Sequence, residues 1–224
     1  MEENNEKFSI DTENLKNETV EAAKKVKESM KGANIKEETK ATKGFVIEMF
    51  KNPVEKIKEV ASDNSAKFFK TAIFLIIIWT IVIFVDSTYS TIKYWGITRV
   101  FSNILSVLKD ILAPAIGILV YSVIVLVLNK NKKTLTTVIS TVTITQLPLI
   151  ASSIVSLLTI ISSGLSTITT PFSKICSIVA IVLGYFGFKN LFDENDETFI
   201  KKYVLIQIVY YVAYIVIKLF GIYI

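Results

Sequence analysis

Residues 138–162 read VISTVTITQLPLIASSIVSLLTIIS, an unbroken run without a charged side chain. A helix needs about 20 apolar residues to cross a bilayer, so this run is long enough to span one. Gln146 and Pro148 stand at its centre, where an apolar helix tolerates neither without cause. Four further apolar runs surround it, at 68–85, 111–128, 175–192 and 203–222. The expectation is an all-α, polytopic integral membrane protein of five transmembrane helices in a bundle. A polar N-terminal arm, mostly disordered or partly helical, precedes the bundle.

Charge is distributed to match. The 224-residue chain carries 25 Lys and Arg against 20 Asp and Glu, a net +5. Its mean hydropathy is +0.51, high for a soluble domain. Fourteen of the basic and fourteen of the acidic residues fall at or before Lys70. The surplus of positive charge sits in short connectors such as Lys130, Lys132, Lys133, Lys201 and Lys202, a consequence of membrane topology. No nucleic acid partner is implied. The chain has no histidine and one cysteine, Cys176, which excludes an intrachain disulfide, a zinc ribbon and a Cys/His catalytic pair. Cys176 lies in an apolar run and reads as a small buried hydrophobe. The opening residues are acidic with no apolar run behind them, so no cleaved signal is expected and the run at Phe68 acts as an anchor.

Three domains follow: an arm at 1–43, a lead-in at 44–67, and the membrane domain at 68–224. Within the arm, Thr12 to Gly32 holds good helix formers, with Leu15, Ala22, Val26 and Met30 near one face. That face is thin, and the arm reads as a solvated tether. The lead-in is different. Phe45, Val46, Ile47, Met49 and Phe50 precede Asn52-Pro53, and Val54, Ile57 and Val60 recur at helical spacing. The expectation is an amphipathic helix lying at the membrane interface. After the first span, Asp86 to Asp110 contains Tyr94, Trp95 and a helical pattern over 97–109, read as a second interfacial helix on the opposite face. Lys and Arg near the span ends place the N-terminus and the 130–133 and 189–202 loops in the cytoplasm, and the C-terminus outside.

Groups able to do chemistry are few. The structural candidates are Gln146 and Pro148 in the third span, and Gly184 and Gly187 in the fourth. Gln146, like Gln207, is expected to make an interhelical hydrogen bond or face a polar path. Pro148 frees a backbone carbonyl that neighbouring Ser and Thr can satisfy. The two glycines permit close helix approach, marking spans three and four as the inner pair. No carboxylate falls inside the five apolar runs, and Asp193 to Glu197 lacks the spacing of a calcium loop. No phosphate-binding loop and no nucleophile elbow occurs, so no catalytic residue, metal or cofactor is assigned and no enzyme is expected.

The polar arm, Phe50-Lys51-Asn52-Pro53, the five close spans and Thr145-Gln146-Leu147-Pro148 together resemble the Yip-domain family. These membrane proteins are named for interacting with Ypt/Rab GTPases and include bacterial members. The resemblance covers 44–224. The chain lacks the Asp-Leu-Tyr-Gly-Pro lead-in of eukaryotic members and the cysteine zinc ribbon preceding related bacterial domains. No functional residue is carried over. The arm, the interfacial helices and the charge-poor core lead to the expectation of a non-enzymatic scaffold or recruiting factor in the cell membrane, its partners the bilayer and other membrane or cytoplasmic proteins reached through the arm. The alternative is a transporter or permease-like subunit with a polar path near Gln146 and Pro148.

Overall fold

The computed structural model describes residues 12–31, 35–63, 65, 67–97, 104–130, 132–192 and 194–219. Among them every regular element is helical: α1 (Thr12–Lys31), α2 (Ile35–Lys51), α3 (Pro53–Ser62), α4 (Phe69–Trp95) and α5 (Ile104–Leu128), followed by α6 (Leu135–Thr145), α7 (Leu147–Ser156), α8 (Leu158–Ile161), a 3-10 turn (Ser163–Leu165), α9 (Ser166–Phe192) and α10 (Asp196–Leu219). Four helices are long and apolar enough to cross a membrane. A fifth crossing follows if α6 and α7–α8, bent by 45°, form one broken span. The helices run past the apolar stretches of the sequence because hydroxyl, amide and charged residues at their ends still complete the backbone ladder. Thus α4 continues to Trp95, where Gly96 takes φ 81 and stops it. Of the helix expected over 97–109, Ile97 and the first residues of α5, from Ile104, are described; residues 98–103 lie outside the description.

The bend has a local cause. Pro148 sits in the first turn of α7 and brings no N–H, so the ladder cannot pass unbroken through Gln146. Gln146 caps both halves: its N–H donates to Val142 and Thr143, and its carbonyl accepts from Leu149 and Ile150. Every residue of α6 is buried. A buried hydroxyl without a partner is costly, and Ser140, Thr141 and Thr145 avoid this by donating to the carbonyls of Thr136, Thr137 and Val142 at 2.7–2.9 Å. Thr134 caps the start of α6, accepting from the Thr137 N–H.

Where they are described, the arm and the lead-in both pack on the bundle. The arm is helical where described, and α1 rests on the bundle through buried Ala22 and half-buried Val26, while Glu18 accepts the Leu135 N–H at 3.2 Å. The side chains of Leu15 and Met30 lie outside those described. The lead-in turns one apolar face onto protein. Ile57, Val60 and Ala61 on α3 are at most 1% exposed, wedged between α6 and α9. Phe45 and Met49 of α2 join Ile57 and Val60 in one core cluster with Leu75, Ile144, Leu147, Ile150 and Leu183. The sequence offered these apolar residues no other core than lipid, yet the helices α6 and α9 supply one. Ile47 and Phe50 alone of the group stay exposed.

Candidate functional site

Two cavities meet at the break in the third apolar run. One, about 600 Å³, lies between α4 and α5. The other, about 830 Å³, lies between α9 and α10. Tyr121, Gln146, Leu149 and Tyr210 border both. Gln146 therefore sits where the two volumes approach each other, and among the described residues its side chain has no hydrogen-bond partner. The interhelical bond expected of both glutamines is made by Gln207, which donates to the Tyr121 hydroxyl. Tyr121 in turn stacks on Tyr210 at 4.3 Å between ring centroids and meets Phe188 edge-on at 5.4 Å.

The first cavity is built from one face of each flanking helix. On α4 it takes Trp79, Ile83, Asp86, Ser87, Ser90 and Tyr94, and on α5 Asp110, Ala113, Pro114, Gly117, Ile118 and Tyr121. Both sets follow the three-and-four spacing of a single helical stripe. The end away from the arm carries the polar groups, and the end near Gln146 is mostly apolar. Ser87 donates to an Asp110 carboxylate oxygen at 2.8 Å. Deeper in, Trp79 donates its indole N–H to Ser153 at 3.0 Å, and Tyr89 donates to the Ile160 carbonyl at 3.1 Å, tying α4 to α7–α8.

The sequence candidates divide between two roles. Gln146 borders the cavities, and Pro148 is buried beside it as the cause of the bend. Gly187 is a packing site. A Cβ built there would lie 3.0 Å from the Thr141 and Thr145 methyls and 3.1 Å from the Ile57 Cγ2. Gly184 faces α10, where a Cβ would lie 3.3 Å from the Tyr203 hydroxyl, itself donated to the Ile181 carbonyl at 2.6 Å. The Thr row of α6 lines neither cavity. The polar wall belongs instead to α4 and the start of α5, and Asp86, Ser87, Ser90 and Asp110 were hidden from the sequence reading by the assignment of 86–110 to a loop. Their spacing from Trp79 was the available signal.

At the arm end the charges are satisfied locally. Lys56 bridges Glu48 and Glu59 at 2.7 and 2.8 Å, and those hydrogen bonds, that to Glu48 first, hold its ammonium above the usual lysine range. Burial pushes the Asp63 carboxyl up, but hydrogen bonds from the Ser65 hydroxyl and the backbone N–H groups that follow outweigh it and leave Asp63 below the ordinary range. Burial raises Glu18 against the opposing Leu135 N–H. Of the acidic loop, Asp193 lies outside the described residues, while Glu194, Asp196 and Glu197 pair with Lys202, Lys189 and Lys201. Among the described residues no three His, Cys, Asp or Glu side chains are placed to hold a metal ion. Cys176 is buried and free.

No family model matches the chain, and neither a curated protein nor a solved structure is similar to it.

Proposed function

We propose that the chain is a five-span integral protein of the cell membrane, N-terminus cytoplasmic and C-terminus outside, that binds and passes a small molecule through the cavity at Gln146 and performs no catalysis. The observation that supports this reading is the coincidence of a helix break with a cavity of about 600 Å³. Non-helical backbone at membrane depth is tolerated where it lines a cavity, and broken helices with unpaired polar groups mark substrate paths in transporters. Pockets for small ligands occupy about 300–1,000 Å³, so the volume suits one molecule. In the proposed orientation the polar mouth, with Asp86 and Tyr94, opens outward. The Yip-domain resemblance, on Phe50–Pro53 and Thr145–Pro148, belongs to this proposal and leaves the ligand open.

The test is aqueous access to the break. In a Cys176→Ser background, Ser90→Cys and Gln146→Cys should both react with a small impermeant methanethiosulfonate added outside intact cells, and Val125→Cys should not. An inert Gln146→Cys beside a reactive Ser90→Cys overturns the path. A scaffold that recruits partners is the second reading, favoured by the exposed Val20 and Phe50 on α1 and α2. It requires that removing residues 1–43 leave insertion intact and abolish co-purifying proteins. If the same proteins stay bound without the arm, that reading fails.

A further inference from the structure

From the walls of the cavity between α4 and α5 we infer its ligand class: an organic cation, an ammonium group carried on an apolar body. The inference rests on the proposal that this cavity is a ligand site. Among the described residues that line it, the charged side chains are both acidic. Asp86 and Asp110 face it from two helices, and among the described residues neither has a basic partner; Asp110 is held only by the Ser87 hydroxyl. Pro114, four residues after Asp110, brings no N–H, so the Asp110 carbonyl is also freed of its helical donor and adds negative potential on the same wall. Asp86 directly follows an apolar run, where an ionised side chain is expensive and marks a binding function unless the protein supplies the counter-charge. Here a ligand supplies it.

The rest of the wall matches such a ligand. Trp79, Tyr94 and Tyr121 line the cavity, and an ammonium within about 6 Å of an aromatic centroid is attracted by the ring quadrupole. The protein already shows that preference at the rim: the Lys93 ammonium lies 5.7 Å from the Tyr94 centroid. Below the carboxylates, Ile83, Ile118 and Leu149 receive the apolar body. An anion would meet two carboxylates and, among the described lining residues, no base, and a polyol would strand its hydroxyls against these apolar side chains.

The two tryptophans of the chain, Trp79 and Trp95, both line this cavity, so intrinsic emission reports its occupancy. The full-length purified protein is titrated with benzyltrimethylammonium, benzyl alcohol and benzenesulfonate, which share an aromatic ring and differ in charge. Benzyltrimethylammonium should change emission saturably, and Asp86→Asn and Asp110→Asn should each weaken it about tenfold, as loss of one nearby opposite charge requires. Benzenesulfonate should give no saturable change. The comparison of the three probes on the unaltered protein needs no variant to fold. If benzyl alcohol or benzenesulfonate binds as tightly as the cation, the ligand class is wrong and the cavity reading survives. If none of the three changes emission while Gln146→Cys still reacts with the aqueous reagent, the class is again wrong; if that reaction also fails, both readings fall.

Discussion

Gly187→Ala tests the tightest surroundings of any described glycine. The added Cβ would meet three methyl carbons at 3.0–3.1 Å, where carbon atoms prefer about 3.5–4.0 Å. Two of the methyls belong to α6 and one to α3, so no single shift of α9 relieves all three. Thr141, Thr145 and Ile57 are each at most 1% exposed, which leaves them no solvent to move into. Overpacking of this kind costs about 1–3 kcal/mol, and replacing a helical glycine by alanine returns about 1 kcal/mol. Three contacts with no room to relax put the cost at the upper end, about 2–3 kcal/mol, so the net loss is roughly 1–2 kcal/mol, or a Tm lowered by roughly 2–8 °C for a chain of this size. Buried Cys176 supplies the assay: a thiol-reactive dye that fluoresces on exposure follows melting of the purified protein. Gly184→Ala is the matched control, because its Cβ meets only the terminal hydroxyl of Tyr203 at 3.3 Å, and its Tm should stay close to the parent. Adding Thr145→Ser to Gly187→Ala removes one of the methyls and should recover part of the loss. A Gly187→Ala protein that melts at or above the parent refutes the packing account.

Three further outcomes follow from the same contacts. Ile57→Ala should cost about 2–5 kcal/mol in a denaturation measurement, because Ile57 is wholly buried between α6 and α9; an interfacial α3 would lose far less. Asp63 is held below the ordinary carboxylate range, so its contribution is complete above the unfolded value near pH 4 and is lost as pH falls through the folded one; Asp63→Asn should flatten the acid limb of a stability–pH profile and change little in its slope at neutral pH. Gln146→Leu should abolish ligand-induced stabilisation while leaving the unliganded Tm near the parent value, since among the described residues the amide has no partner to lose.

The membrane-length helices were legible from hydropathy alone, because uncharged runs of this length have few other fates. The break at Gln146 was legible from Pro148, whose missing N–H acts within its own turn. Two things were not. The lead-in residues Phe45, Met49, Ile57 and Val60 were visibly apolar, but periodicity says that a face is buried, never against what; lipid and the α6–α9 groove give the same pattern. The cavity was lost for a related reason. Hydropathy ends the first run at Val85, yet α4 continues to Trp95 and carries Asp86, Ser87, Ser90 and Tyr94 round to the stripe that begins at Trp79. Polar residues on one face of a continuing helix lower the average as much as a loop does, and only the spacing separates the two. Gly187 showed a close approach without naming the partner helices.

Everything proposed for the cavity depends on the chain threading the membrane five times with its polar mouth outward. Single cysteines at Lys132, Thr167 and Asn195, each in a Cys176→Ser background, are exposed to an impermeant maleimide in intact cells and again after permeabilisation. Five spans with a cytoplasmic N-terminus predict that Thr167→Cys alone reacts in intact cells and that all three react once the membrane is opened. Labelling of Lys132→Cys or Asn195→Cys in intact cells, or protection of Thr167→Cys, contradicts the topology and the outward cavity with it.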